Sequence, residues 1–261
     1  MSSPPSWTGG PSSGTDVHPE TRRTLTFTFL LCLICATILS LLASLLREPQ
    51  EKARTLDRNR QLLLATQLLP HNSPLSGDQI LALYAAKIRP MLTNDAGDAL
   101  TFEEAHLNYS TYLDAHQKSG YASLPYKLYY QILPADGVVI PINGFGLWDA
   151  LYGYLALQQD GKTVLGTTWY QQAETAGLGA NITLPEWQAQ FPGKQIGPLG
   201  LTVVKGKVAD LYPPNSPKAR TSIDGISGAT LTCKGVTDAY RECLAPYHNL
   251  LRRIADGQTA P

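Results

Sequence analysis

Residues 24–46 carry no charge: TLTFTFLLCLICATILSLLASLL. As a helix these 23 residues extend about 34 Å at about 1.5 Å per residue, the thickness of a bilayer's hydrocarbon core. A run this long and apolar commits the chain to a membrane span with a domain outside it. The run is longer than the apolar segment of a cleavable leader, and no A-x-A-like site follows, so it is expected to remain as an anchor. It also explains why charged residues make up only 16% of the 261 residues. Lys plus Arg and Asp plus Glu both number 21, which leaves no bulk basic field to attract nucleic acid.

Charge around the span does not settle its orientation. Arg22 and Arg23 precede it; Arg47, Lys52, Arg54, Arg58 and Arg60 follow. The count leans toward a cytoplasmic domain, yet acidic residues are interspersed and long domains translocate regardless of nearby charge. Cys32 and Cys35 lie within the span and read as apolar fillers. Cys233 and Cys243 are ten positions apart on one expected helix, hence about 15 Å apart, beyond disulfide reach. The histidines are scattered, and no metal site is expected.

The remainder divides by composition. Residues 1–23 begin with a Ser-, Pro- and Gly-rich stretch expected to be a disordered tail. Residues 24–46 are the span, 47–119 a juxtamembrane and helical region, and 120–261 the main domain. In the helical region, HNSPLSGDQ breaks a first helix and residues 78–92 (DQILALYAAKIRPML) read as a second. After residue 120, YKLYYQIL, GVVIPI, KTVLGTTWY and GLTVVKG read as strands of a mostly antiparallel sheet. WDALYGYLALQQ, residues 148–159, reads as a helix. A closing helix is expected from near Leu231, with Val236, Tyr240, Cys243, Leu244 and Tyr247 on one stripe and Pro246 breaking it. The expected class is α+β, a single N-terminal transmembrane helix followed by an extramembrane domain with flanking helices.

One polar stretch ahead of that helix is built for chemistry: TSIDGISGATLTCKG, residues 221–235. Asp224-Gly225 signals a turn. Ser227 is placed to cap the helix, and Gly228 permits close backbone approach. Thr230 then falls in the first helical turn, where free N–H groups and the positive end of the helix dipole favour a phosphate.

DGISGATLT resembles the flavinylation motif of the NqrC family, whose members belong to the Na⁺-translocating NADH:quinone reductase. NGFGLWDALYGYLAL resembles a family signature H-G-x-G-L-W. WYQQAETAGLGANITLPEWQAQFPGK resembles its E-T-P-G-L-G segment and the W-x-x-x-F/W-x-G-K that follows. VVKGK and LREPQEKARTLDRNRQLL resemble two further segments, so the likeness runs in order over roughly residues 20–250. Asn143, Ala176 and Cys233 depart from the family's usual His, Pro and Ser.

The resemblance implies an FMN-binding domain with FMN joined to Thr230 by a phosphoester. Asp224, Gly225, Ser227, Gly228 and Ala229 form the surrounding recognition element. The ring is expected against Glu174, Thr175, Gly177, Leu178 and Gly179, with Gly146, Leu147 and Trp148 beside it and Lys205 near negative charge. No acid–base pair, nucleophile or NADH site is seen in this chain. The implied role is one-electron relay from NADH towards quinone, coupled in a six-subunit complex to sodium export. Implied partners are the other subunits, a flavin transferase and the lipid bilayer. The resemblance places the N-terminus in the cytoplasm and the domain in the periplasm, at a bacterial inner membrane. The alternatives are the homologous flavin-bearing component of the Rnf-type ion-translocating electron-transport complex, and an anchored binding or assembly protein without cofactor.

Overall fold

The computed structural model describes residues 19–134 and 137–257. The expected tail falls mostly outside them. The chain divides into two compact units, Met1–Ala53 and Arg54–Pro261. Helix α1 (Pro19–Ala65) is already helical ahead of the expected Thr24, across residues 19–23.

Within the first unit α1 is apolar on all sides, with Leu25, Phe27, Phe29, Leu33, Leu42 and Leu45 exposed. An all-round apolar surface suits lipid. The hydroxyls of Thr24, Thr26, Thr28 and Thr37 donate to the carbonyls of Glu20, Arg22, Thr24 and Leu33 at 2.7–3.0 Å. Each of these hydroxyls is thus satisfied inside its own helix, as a hydrocarbon surrounding demands. The helix is long and apolar enough to cross a membrane.

The second unit is α+β. Helix α2 (Gly77–Lys87) starts with a capping box, in which Ser76 Oγ accepts from the Gln79 N–H and Gln79 Oε1 accepts from the Ser76 N–H. There follow β1 (Ile88–Thr93), β2 (Ala99–Leu100), α3 (Tyr109–His116), β3 (Lys127–Ile132), β4 (Gly137–Phe145), β5 (Ala150–Gln158) and β6 (Val164–Gln171). These strands form one sheet in the order β2-β1-β3-β4-β5-β6, with every neighbouring pair antiparallel. A 3₁₀ turn (Gly179–Thr183), α4 (Pro185–Gln188), β7 (Thr202–Val203), α5 (Val208–Leu211), α6 (Pro217–Arg220) and β8 (Ser222–Ile223) come next. β7 and β8 pair in parallel. Helix α7 (Thr230–Leu244) gives way at Pro246 to a 3₁₀ turn (Ala245–Tyr247) and then α8 (His248–Ala255).

Two expected helices change. Residues 78–92 are helical only to Lys87; Ile88–Thr93 is strand β1, paired along its length with β3. Residues 148–159 contain β5, not a helix. Its Ala- and Leu-rich composition suits a helix, but nine register pairs with β4 override that preference. A strand's alternation is present in the burial: Leu151, Leu155 and Leu157 enter one core, Tyr154 and Ala156 the other.

Both faces of the sheet are covered. Tyr129, Val138, Ile140 and Ile142 point to a core shared with Val236, Ala239, Tyr240, Cys243 and Tyr247, which confirms the expected stripe. Tyr130 and Val139 point to a second core with Leu62 and Leu63 of α1, Ile80 of α2 and Leu113 of α3.

Helix α7 lies close against the end of β4. A Cβ on Gly235 would stand 2.0 Å from the Phe145 carbonyl oxygen, and one on Gly144 2.5 Å from the Ala239 Cβ. Only glycine at these positions permits the approach. The Cys243 thiol donates to the Asn143 carbonyl at 3.1 Å. The start of α7 is thereby set beside the turn between β4 and β5.

Candidate functional site

The opening of α7 departs from its sequence expectation in an informative way. Ser227 does not cap it. The N-cap is Ala229 (φ −118°, ψ 37°), and no side chain caps the helix. Gly228, at φ +75°, turns the chain in a conformation disfavoured for other residues. This inserts two residues between Ser227 and the first helical position. Ala229 has no oxygen to offer, so the first-turn amides keep no partner from within the helix or from a capping side chain. Thr230 is the first helical residue and is exposed.

The turn before it is fixed from outside. The Asp224 N–H donates to Gln190 Oε1 at 2.9 Å, its carbonyl accepts from Trp187 Nε1 at 3.0 Å, and its carboxylate accepts from the Val208 N–H at 2.7 Å. The Gly225 N–H donates to the Gly206 carbonyl at 2.8 Å. Asp224 and Gly225 therefore stitch the 204–208 and 187–190 segments to the loop.

A cleft of about 190 Å³ opens at Thr230. One wall is 228–232, another is Glu174, Thr175, Leu178 and Gly179, and Leu147 closes the third side. Leu147, Leu178 and Leu231 are 50%, 41% and 57% exposed at its rim. Trp148 is 69% exposed next to Leu147, and its Nε1 donates to Thr175 Oγ1 at 3.3 Å. It is a surface residue here, not part of the core. Asp224, Gly225, Ser227, Gly146, Gly177 and Lys205 do not line the cleft; Lys205 is exposed in the turn after β7.

Glu174 sits deeper than a ring-contacting loop residue would. It is buried; its Oε1 accepts from the Leu147 and Trp148 N–H groups at 2.9 and 3.0 Å, and its Oε2 accepts from Thr232 Oγ1 at 2.5 Å. Reading the sequence alone misses Thr232 and Leu231. Their signal is helical spacing: two residues after Thr230 the helix has turned about 200°, so an exposed Thr230 implies an inward Thr232.

These features suit a phosphate ester of a flat aromatic group. The ingredients are an exposed hydroxyl, uncapped amides at a helix N-terminus for the phosphate oxygens, and apolar side chains around the mouth for a ring.

Comparison with known proteins points to a flavin-binding domain. The family profile described as FMN-binding domain matches residues 146–245, a span that holds all three walls of the cleft. The NqrC protein of the Na⁺-translocating NADH-quinone reductase from Chlamydia caviae is 38% identical over 90% of this chain and 93% of its own length. The chain belongs to the NqrC family. The Yersinia pestis NqrC is 31% identical, again over 90% and 93%. The crystal structure of the Parabacteroides distasonis NqrC, 25% identical, matches with a TM-score of 0.58 and covers 79% of this chain and 96% of that one. The Shewanella oneidensis NqrC structure, at 24% identity and the same TM-score, supports the fold. The antiparallel sheet with flanking helices is thus the fold of this family.

Proposed function

We propose that this chain carries FMN as a phosphoester of Thr230 and acts as an electron relay within a Na⁺-translocating NADH:quinone reductase. The observation that carries the reading is the exposed Thr230 hydroxyl at the first position of an uncapped helix, opening into a cleft with an apolar rim. FMN supplies one-electron redox chemistry that side chains lack; the protein supplies position and electrostatics.

In this reading the amides of Thr230, Leu231 and Thr232 hold the phosphate oxygens, and Gly228 keeps the approach clear. Leu147, Leu178 and Leu231 exclude water from the ring, with Trp148 beside them. Thr175 and the backbone at Gly179 offer polar contacts to the ring edge. Asp224, Gly225, Ser227 and Ala229 present the turn that a flavin transferase reads. Gly146 shapes the β4–β5 turn, its N–H donating to the Asp149 carbonyl at 2.9 Å, and Lys205 receives no role in the cleft. Thr230 is an attachment point; no residue of this chain is assigned an acid–base step.

The partners are the other members of a six-subunit complex, which together couple electron flow to sodium export, and the bilayer that takes α1. The family resemblance assigns the N-terminus to the cytoplasm and the domain to the periplasm, and the flanking charge does not overrule it, since a long domain crosses largely regardless of that charge. Membranes from cells that contain the transferase test the reading on a denaturing gel under ultraviolet light. Wild type and Thr230→Ser are expected to fluoresce and Thr230→Ala to be dark. A dark wild-type band, with the peptide bearing Thr230 unmodified by mass spectrometry, overturns it.

A further inference from the structure

Among the described residues, Glu174 is the one charged side chain lining the cleft, and no salt bridge to it occurs. A buried carboxylate is costly unless hydrogen-bonded, and this one takes three donors. Two come from the β4–β5 turn, the N–H groups of Leu147 and Trp148. The third is the Thr232 hydroxyl, from the first turn of α7. Glu174 itself belongs to the loop that forms the remaining wall. All three walls of the cleft therefore meet at one carboxylate. The surrounding space is fitted to it: a Cβ on Gly146 would lie 2.4 Å from Oε1, and one on Gly179 2.7 Å from Oε2.

We propose that Glu174 is the positioning residue of this site. It clamps the β4–β5 turn and its own loop to the start of α7. It holds Thr232 inward so that Thr230 alone presents its hydroxyl. It also keeps a fixed negative charge behind the cleft, which lowers the reduction potential of the attached flavin. The last effect rests on the reading that Thr230 carries FMN. Its sign follows from Coulomb's law: adding an electron beside a fixed negative charge, in a partly desolvated site, is disfavoured.

Two substitutions separate clamp from charge. In Glu174→Gln the amide oxygen still accepts from the two N–H groups and the amide nitrogen donates to Thr232 Oγ1, so the clamp stays and the charge goes. Glu174→Ala removes both. The first measurement uses full-length chain in detergent, produced without the transferase, and reads hydrogen exchange at the Leu147 and Trp148 amides. Both are expected to exchange many-fold faster in E174A and near the wild-type rate in E174Q. The second uses flavin-loaded chain. E174Q is expected to load like wild type with a more positive midpoint potential, and E174A to load several-fold less. If E174A does not fold, Thr232→Val breaks the α7 bond alone and is expected to lower loading in folded protein.

Unchanged exchange at Leu147 and Trp148 in E174A, or undiminished loading in T232V, overturns the clamp. An E174Q potential equal to or below wild type overturns the charge effect. A wild-type chain without flavin would instead sink the proposed function, and the exchange measurement would still decide the clamp.

Discussion

The two faces of the six-stranded sheet are both buried, yet they do different work. The face under α7 is covered by that helix together with α8 and residues of the 182–203 segment; α7 is held at near-backbone contact through Gly144 and Gly235, and that contact delivers Thr230 to its cleft. The opposite face is covered by the end of α1, with α2 and α3, and is rich in tyrosine. There the Tyr84, Tyr109 and Tyr130 hydroxyls stand in a row at 3.3 and 3.4 Å. Tyr154 stacks on Tyr170 at 5.1 Å, and Tyr130 meets Tyr154 edge-on at 6.0 Å. There the tyrosines fill volume under several short elements; the α7 face also buries large aromatics, but its glycines at 144 and 235 seat the helix that carries Thr230. The first arrangement stabilises the domain; the second shapes a site.

If that contrast holds, damage to the two faces should separate stability from flavin attachment. The largest loss of stability is expected from Leu63→Ala, which empties a fully buried position on the α1 face. It should cost about 3 kcal/mol by chemical denaturation and leave flavin loading of the folded fraction near wild type. Gly235→Ala should behave in the opposite way. Its helix preference improves by about 1 kcal/mol, but the new Cβ runs into the Phe145 carbonyl, and overpacking of this kind costs about 1–3 kcal/mol. A modest net loss of stability, together with a large drop in gel fluorescence, is the expected result. Equal effects of both substitutions on loading would break the comparison.

The smallest effect concerns Cys243, which ties α7 to Asn143. Burial pushes its thiol up to about 11, from an ordinary value of 9.0. The folded state holds the proton longer than the unfolded state does. Its contribution is therefore complete below about pH 9 and is lost as pH rises through 11. Cys243→Ala should show a shallower fall in stability across that window, measured against wild type at the same temperatures. A slope identical to wild type would show that the thiol is solvated.

Much of this protein is legible in its sequence. The uncharged run, the stripe from Val236 to Tyr247 and the turn–Gly–Thr order at 224–230 are local patterns, and local patterns survive translation into structure. Three expectations fail, two through strand pairing and one through the backbone of a single glycine. The residues of β5 look helical because Ala and Leu favour helices, but nine cross-strand pairs decide otherwise. Residues 88–92 look like helix, but β3 pairs with them. Ser227 looks like a cap, but the left-handed Gly228 moves the helix start to Thr230.

Read along the chain, the residues commit it to a membrane-length apolar helix ahead of an α+β domain, and they mark the hydroxyl that stands at a helix start two residues after a glycine. Folding in three dimensions settles the rest: this start lacks a cap, Trp148 lies on the surface, and one buried carboxylate joins three distant segments around the cleft. Periodicity and turn chemistry act over a few residues, so neighbours in sequence suffice to express them. The Glu174 contacts span 26 to 58 positions, and only the folded sheet and the close seat of α7 on β4 bring those positions together.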